Sequence, residues 1–455
     1  MNKKIVFVIS LIFLFSITIV VILSMNLRIS KVNFYIEDPP FQIHATWSYR
    51  NASETITVIW RKKFIGKSVV KFDQNPQGEF PTNYRWEVRG ETRKYANIEG
   101  YLHIVSLSNL DPNTTYYFIC GSDQNGWSEE LSFKTPSIIP NEITFIVGGD
   151  SRSNPEIRNQ ISELMAQYNP EFVLFIGDAV NDGGDQKLWD NWFEHMHKYW
   201  IKSGNTVIPI VPCLGNHEKN ASNYYAQYAL PNNEQWYSID YSSLIHIICL
   251  NTEGQIDGNQ LTRLTNDLEK HKDTLWKFVF FHQPIYSSGP HGSRKDLQEI
   301  WAPLFDKYNV NIVFSGHDHI YERSKPIRNN AVKDSYEHGI MYIVTGGWGA
   351  PLHELQYNWW TAYGESEYHF CLIQISIENK KTRLLLKEIR LNNTIGDSVV
   401  IERSLTKEFF RSLKNNVSNL KLSIANRIPK SSVKTDHLSN FRVFTSDILM
   451  INIKK

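Results

Sequence analysis

Cysteine is scarce in this sequence of 455 residues, and it is scattered. No two of the four cysteines are close in sequence, and each lies inside an apolar run. A disulfide framework or a thiolate metal site would need a denser cysteine pattern, so both are disfavoured. We predict buried thiols that behave as small hydrophobic side chains. The four residues are Cys120, Cys213, Cys249 and Cys371.

An excess of charge of either sign is also missing. The chain has 48 Lys and Arg against 47 Asp and Glu, a formal net charge of +1. A strong basic bias occurs only in the tail, residues 403–455, where eleven Lys and Arg face three Asp and Glu. We therefore expect no nucleic-acid partner. We interpret the tail as a solvated extension, with a surface helix over 405–422 touching anionic headgroups as the alternative.

Long apolar runs are confined to residues 5–25, which lie between Lys4 and Arg28 without a charge. This run is long enough to span a bilayer as a helix. It lacks the small-residue cleavage site of a signal peptide, so residues 1–28 are predicted to be a membrane anchor. We expect the rest of the chain to work outside the cytoplasm, or to be secreted if the segment is cleaved.

Two patterns of secondary structure follow the apolar run. Residues 33–137 alternate apolar and polar side chains in short runs between turns, which predicts an all-β sandwich. The stretch from Leu110 to Phe118 resembles the end of a fibronectin type III domain. Residues 142–402 instead alternate apolar strand-like runs with helical patterns, such as the cap Asn154 followed by Pro155. They predict an α/β domain with mixed β-sheets flanked by helices.

Five short polar motifs each follow directly after one of the apolar runs of the second domain. Ligand sites in α/β sheets form beyond the carboxyl ends of strands, so we expect all five motifs at one edge of the sheet. The motifs are Gly149-Asp150, Gly177-Asp178, Gly215-Asn216-His217-Glu218, His282-Gln283-Pro284 and Gly316-His317-Asp318-His319.

The residue types of these motifs indicate a metal site. Asp, Asn and His supply oxygen and nitrogen ligands suited to Mn²⁺, Fe²⁺ or Zn²⁺. Six such residues are more than one tetrahedral ion needs, and a carboxylate can bridge the two cations of a two-metal hydrolase. No glycine-rich phosphate loop of the P-loop kind occurs, and this chemistry needs no serine or cysteine nucleophile.

The motif set resembles the calcineurin-like metallophosphoesterases and, within them, the purple acid phosphatase-like branch. The stretch from Gly316 to Arg323 is similar to the acid phosphatase signature, and so is Val279-Phe280-Phe281-His282 with Tyr286 and His291 after it. A β-sandwich ahead of the catalytic domain is also typical of that branch. The resemblance covers about residues 33–402 and implies hydrolysis of phosphate esters.

The resemblance also implies a role for each motif residue. Asp150 and His319 would bind a first metal, Asp178 would bridge both metals, and the second metal would be bound by Asn216, His282 and His317. His217 would lie near the phosphate and either stabilise it or protonate the leaving group, and His291 is a candidate for the same work.

Two departures from the family pattern change what is expected. The usual first motif is Asp-x-His, and here Arg152 stands in place of the histidine. It either binds a phosphate oxygen or is a surface arginine in an ion pair. The purple branch has Tyr three residues after the bridging Asp, and here that residue is Asn181, which either coordinates or orients His217. A ferric-tyrosinate purple centre is therefore not expected. We expect instead a pair of divalent ions of Mn, Fe or Zn.

The function expected from the sequence is hydrolysis of phosphomonoesters by a dinuclear metal centre. A phosphodiesterase or nucleotidase using the same site is an alternative. A second alternative is a non-catalytic cell-surface binding protein with a degenerate metal site. Four further aromatic residues either pack in the core, the favoured interpretation, or frame a substrate pocket: Trp348, His353, Trp359 and Trp360.

Overall fold

The computed structural model describes residues 16–17, 37–94, 99–202, 204–378 and 381–405. Nearly all of the predicted anchor, residues 1–28, and nearly all of the basic tail lie outside these residues, as does the alternative helix over 405–422. No helix within the described ranges combines the length and hydropathy that a membrane span requires.

The N-terminal domain is an all-β sandwich, as the alternating pattern predicts. One sheet has the order β1-β2-β6-β5, and the other contains β9-β7-β3-β4, with β8 paired to β7. The likeness to fibronectin type III stays a prediction. The strands are β1 (Phe41–Thr46), β2 (Ile56–Lys62), β3 (Val69–Asp73), β4 (Trp86–Arg89), β5 (Glu91–Arg93), β6 (Tyr101–Leu107), β7 (Thr115–Ser122), β8 (Gly126–Trp127) and β9 (Leu131–Lys134).

The second domain interleaves strands with six helices in the described residues, and its first helix begins where Asn154 and Pro155 predict it. The elements are β10 (Glu142–Gly148), α1 (Pro155–Gln167), β11 (Val173–Phe175), α2 (Gln186–Tyr199), β12 (Ile201–Lys202), β13 (Thr206–Val207), β14 (Ile210–Pro212), α3 (Ser222–Gln227), β15 (Tyr237–Asp240), β16 (Ile245–Cys249), α4 (Gly258–Lys270), β17 (Trp276–Phe280), α5 (Lys295–Ile300), α6 (Ala302–Lys307), β18 (Ile312–Ser315), β19 (Tyr321–Ser324), β20 (Ile327–Arg328), β21 (Ala331–Val332), β22 (Met341–Thr345), β23 (Thr361–Glu365), β24 (His369–Glu378), β25 (Lys381–Arg390) and β26 (Ile395–Ser404).

These strands form two large sheets, which agrees with the predicted mixed β-sheets, but the five motifs are divided between the two sheets instead of lying at the edge of one. The first has the order β14-β11-β10-β24-β25-β26, and the second has the order β15-β16-β17-β18-β22-β19-β23. They pack face to face across an apolar core, in which the rings of Phe145 and Phe278 lie 5.4 Å apart. The hydrophobic pattern predicts strands, but it does not encode which strands pair, so the assignment of each strand to its sheet was not predicted.

Residues 207–214 are one of the apolar runs that predict strands in the second domain, and the structure divides them between the two domains. Thr206 in β13 pairs with Ser132 of β9, so β13 extends the sandwich sheet, and Val207 packs in the sandwich core. After Pro209 the chain joins the catalytic sheet as β14. Proline has no N–H for a ladder hydrogen bond, which explains the break. Two strands that follow the sandwich in sequence, β12 and β13, therefore complete one of its sheets, whereas β14 belongs to a separate catalytic sheet.

A partly buried cluster of charges is a second link between the domains. Arg50, in the β1–β2 loop, pairs with Asp240 at 2.8 Å and also with Asp267 of α4. His246 lies between the same two carboxylates, with Nδ1 2.7 Å from Asp240 and Nε2 2.9 Å from Asp267. His271 stacks on His246 at 4.0 Å. This Arg50 cluster lies at the amino end of β16, opposite to the edge that carries the motifs.

His246 should make the stability of this protein depend on pH. Burial opposes its charged form, but the two carboxylates prevail and raise its pKa above 6.5. Its contribution to stability is then complete below about pH 6.5 and is lost as the pH rises through the higher folded-state pKa. We expect the melting temperature of the full chain to fall more between pH 6.5 and 9 than that of His246→Gln. Parallel profiles by scanning fluorimetry would contradict this.

Candidate functional site

The predicted ligands come from both sheets, whose motif-bearing edges meet. The first sheet supplies an anionic and amide set from the loops after β10, β11 and β14, and the second supplies imidazoles from the loops after β17 and β18. The structure brings all six side chains together: Asp150, Asp178 and Asn216 from the first sheet, and His282, His317 and His319 from the second.

Two glycines permit the close approach of these loops. A Cβ atom on Gly215 would lie 2.2 Å from Oδ1 of Asp178, and one on Gly316 would lie 2.4 Å from Oδ2 of Asp150. No side chain can occupy either position without moving a carboxylate. The glycine in each motif is therefore required by the carboxylate of another motif.

Three of the predicted ligands have left-handed backbone conformations. The φ angles are 59° at Asp150, 58° at Asp178 and 67° at His317. Non-glycine residues adopt this region at a cost in energy, and such residues concentrate at functional sites. Each turn lies directly after a buried strand, so the rigid sheet fixes where the side chain points.

The two carboxylates are buried where ions are costly. Asp150 is 0% exposed and Asp178 is 1% exposed. Ligand atoms of Asp150, Asp178 and His282 lie within 4.8 Å of one another. Within the described residues, Oδ1 of Asp150 has no hydrogen-bond partner. Buried carboxylates are ordinarily paired or bound to metals, so these residues fit a cation site.

The imidazoles are oriented by main-chain carbonyls. His282 Nδ1 donates to the carbonyl of Ile176 at 2.9 Å, and His319 Nδ1 donates to the carbonyl of Pro351. Since a carbonyl only accepts, each ring directs Nε2 at the carboxylates. His282 Nε2 lies 3.4 Å from Asp178, and His319 Nε2 lies 3.5 Å from Asp150. Such backing hydrogen bonds are typical of histidines that bind metals.

Acceptor atoms converge at Asn216. Its Oδ1 lies 2.9 Å from His282 Nε2 and 2.9 Å from His317 Nδ1. A neutral His282 carries its proton on Nδ1, so its Nε2 and the amide oxygen would face each other as two lone pairs. A proton or a shared cation removes that repulsion. Burial lowers the pKa of His282, but the two carboxylates more than offset it and raise that pKa well above 6.5. The site thus attracts positive charge.

Glu218 lies behind the site and holds its backbone in place. Its carboxylate accepts the N–H groups of Asp178 at 2.9 Å, Ala179 at 2.7 Å and Gly215 at 2.6 Å. It thereby ties the turn after β11 to the turn after β14. Burial and the nearby Asp178 raise the pKa of Glu218, whereas His282, despite burial, lowers that of Asp178. Asp178 is the carboxylate that stays ionised.

Asn181 and Arg152, which stand at the two departures from the family pattern, contact each other. Arg152 Nη1 donates to the side chain of Asn181 at 2.9 Å, and its Nε lies 3.6 Å from Asp178. The main-chain carbonyl of Asn181, rather than its side chain, accepts from His217 Nδ1 at 2.8 Å. Arg152 is therefore part of the site, and Asn181 orients His217 through its backbone.

An outer layer of imidazoles covers the two histidines of the Gly-His-x-His motif. His291 packs on His317 at 4.3 Å, and His353 stacks on His319 at 4.0 Å. Asp318 joins the layer, accepting the N–H of His291 at 3.0 Å and lying 3.3 Å from His353 Nδ1. For His353, this position beside the predicted ligand His319 replaces the favoured interpretation of core packing. The sequence signal that could have placed His353 at the site is the glycine pair Gly346-Gly347, which lies a few residues before it in the chain.

The tryptophans near His353 have different environments. Trp348 is fully buried in the core, as predicted. Trp359 is 46% exposed and packs edge-on against Tyr286 and Trp360, so core packing is wrong for it. All four cysteines are free and buried, which confirms that prediction.

Two family models match the chain. Residues 143–321 match the calcineurin-like phosphoesterase model, and residues 40–135 match the model of the purple acid phosphatase N-terminal domain. The two matched ranges correspond to the two domains of the structure, with the sandwich first and the catalytic domain second.

Relatives and solved structures agree with these matches. Acid phosphatase type 7 of Mus musculus is 29% identical over 68% of this chain and 78% of its own length. Purple acid phosphatase 21 of Arabidopsis thaliana is 30% identical over 60% of this chain and 64% of its own length. The purple acid phosphatase PPD1 from yellow lupin (Lupinus luteus) seeds superposes with a TM-score of 0.70, at 20% identity over 81% of this chain and 75% of its own.

Glu218 offers a test of the site that does not depend on turnover. In Glu218→Gln the amide NH₂ faces at least one of the backbone N–H groups that the carboxylate accepts, so the turn carrying Asp178 is displaced. We expect metal affinity to fall about 10- to 100-fold, as for other residues that orient ligands. Calorimetric titration with Mn²⁺ and Zn²⁺ measures it. Unchanged affinity, equal to that of the exposed control Glu163→Gln, would refute the role.

Proposed function

The chain belongs to the calcineurin-like metallophosphoesterase superfamily, in its purple acid phosphatase-like branch, and we propose that it hydrolyses phosphomonoesters with a dinuclear metal centre. One observation carries the proposal above the others. Two buried carboxylates, an amide oxygen and three imidazoles converge where the two sheets meet, and Oδ1 of Asp150 has no hydrogen-bond partner among the described residues.

The donor set fits two divalent cations. We assign Asp150 and His319 to the first metal and Asp178 to both, with the second held by Asn216, His282 and His317. When bound, the metals would act as Lewis acids on the phosphate and lower the pKa of water. Oxygen and nitrogen donors favour Mn, Fe or Zn. Because Asn181 replaces the branch's tyrosine, no ferric-tyrosinate centre is part of the proposal.

Arg152 has the geometry of a phosphate-binding residue. Its Nε is buried and lacks a hydrogen-bond partner in the described part of the chain, while Nη1 is held by Asn181. A phosphate oxygen would satisfy the unpaired N–H, and a planar guanidinium binds such oxygens in pairs. This favours the phosphate-binding interpretation over that of a surface ion pair.

His217 and His291 are the candidates for proton transfer. His217 donates through Nδ1 to the carbonyl of Asn181, so Nε2, 3.9 Å from Asp178, can give a proton to the leaving oxygen when both ring nitrogens are protonated. His291 is exposed; its main-chain N–H donates to Asp318, and its ring packs on His317 and His353. Since His217 is the better oriented, we assign it the donation of a proton to the leaving alkoxide and assign His291 contact with the phosphate.

Location is a separate part of the proposal. We propose that residues 5–25 anchor the chain in a membrane, with the catalytic domain outside the cytoplasm. The run is uncharged and 21 residues long, which supports a span. Cleavage of the segment would instead release a secreted enzyme.

Turnover of the full chain tests the function. We expect p-nitrophenyl phosphate to be hydrolysed faster than its bis-ester when Mn²⁺, Fe²⁺ or Zn²⁺ is added. Asp178→Asn and His282→Ala should each lower kcat/KM by at least about 100-fold, because each removes a group that stabilises charge at the reacting centre. The control is His338→Ala, an exposed histidine paired with Asp334.

The outcomes of this assay separate the alternatives. Preference for the bis-ester would indicate a phosphodiesterase. Absence of turnover with every metal, in a folded chain, would favour the non-catalytic binding protein, for which the missing histidine at Arg152 is the motivating feature.

The role of His217 predicts a dependence on the leaving group. p-Nitrophenolate leaves without a proton, whereas an alkoxide needs one. We expect His217→Asn to lower kcat about 10²- to 10⁴-fold for an alkyl phosphate and much less for p-nitrophenyl phosphate. His291→Asn should affect both esters equally. If His217→Asn lowers kcat equally for both esters, His217 is not the proton donor, and the role belongs to another residue.

A further inference from the structure

The loop between β2 and β3 presents apolar side chains to solvent. It reads Lys63-Phe64-Ile65-Gly66-Lys67, and Phe64 is 47% exposed and Ile65 is 69% exposed. Isolated exposed hydrophobic residues are common, but an adjacent pair at a loop tip with a lysine on either side is the arrangement of an interfacial segment. The lysine stems can lie along an apolar phase while the ammonium groups stay hydrated.

The same loop is bonded to the place where the N-terminal segment reaches the sandwich. Both carboxylate oxygens of Asp38 accept main-chain N–H groups from the loop, that of Lys63 at 3.1 Å and that of Phe64 at 2.8 Å. The N–H of Asp38 donates to the carbonyl of Asn125 at 2.9 Å. The start of the sandwich and the apolar loop tip are therefore one structural unit.

The sequence limits how far this unit can lie from the apolar run. Residues 26–37 separate the run from Asp38, and twelve extended residues reach at most about 40 Å. If the run is anchored, the loop is held near the bilayer at a high effective concentration. Weak insertion by two side chains is then sufficient for persistent contact.

We propose that Phe64 and Ile65 insert into the interfacial layer of the bilayer that holds residues 5–25, with Lys63 and Lys67 at the headgroups. The proposal rests on the anchor proposed above. It adds a second contact, which fixes the orientation of the sandwich on the membrane rather than only its distance from it.

The loop and the motif-bearing edge of the catalytic sheets both lie away from the Arg50 cluster. Phe41, at the start of β1, pairs with Arg61, next to the loop, whereas the end of β1 leads to Arg50. The loop thus lies at the end of the sandwich away from the Arg50 cluster. The edge of the sheets that carries the motifs is likewise the edge away from that cluster.

A fluorescent probe on the full chain tests the proposal. Because the four native cysteines are buried, Ile65→Cys introduces the single accessible thiol among the described residues and can be labelled with an environment-sensitive dye. In phosphatidylcholine–phosphatidylserine vesicles, we expect a blue shift, a several-fold rise in emission and quenching by acyl-chain nitroxide lipids. The control is Val332→Cys, on an exposed residue of β21 in the other domain, whose label should keep its aqueous spectrum.

Flotation with the vesicles separates failure of this proposal from failure of the anchor. If the chain floats but the label at position 65 is unquenched, the loop does not insert, and the proposal is overturned while the anchor stands. If the chain does not float, both fail. A blue shift that grows with protein concentration without lipid would mean that the loop meets a second copy, which also overturns the proposal.

Discussion

Ionised carboxylates that lie close together in a buried site need cations among them, since each buried ion otherwise costs several kcal/mol. Asp150 and Asp178 create this requirement, and much of the second domain serves it. Left-handed turns after buried strands bring the two side chains to the same place, and glycines in other motifs leave room for them. One sheet contributes the anions and the other contributes the imidazoles, so the site exists only when the two sheets are packed together.

Hydrogen bonds to main-chain groups orient the predicted metal ligands and the turns that carry them. Glu218 holds two turns through three N–H groups, and carbonyl oxygens at Ile176 and Pro351 determine which ring nitrogen of two histidines points inward. Backbone partners cannot rotate away as side chains can. Because the cation site and the packing of the sheets depend on the same contacts, metal binding should be linked to folding stability.

The sequence predicted the parts of this structure that have a local signature. Strand-like runs, the cap at Asn154 and the polar motifs after each run all followed from neighbouring residues. Pairing between distant segments was not predictable, because nothing local relates Arg50 to Asp240, or divides strands of equal hydrophobicity between two sheets. His353 was undervalued for the same reason, since it reaches His319 from an irregular loop. Domain boundaries and ligand roles stay predictions.

The sheet shared by β9 and β13 has a consequence for how the chain can be divided. The segment between β9 and β10 is short and looks separable, but one side of β9 is paired by β13, a strand that belongs, in sequence, to the other domain. A sandwich cut off at the linker would therefore present an unpaired edge to solvent, and exposed edges promote aggregation. The two domains should thus be expressed and purified together, and they should unfold as a single cooperative unit. Removal of the sandwich should destabilise the strands that precede Asn216.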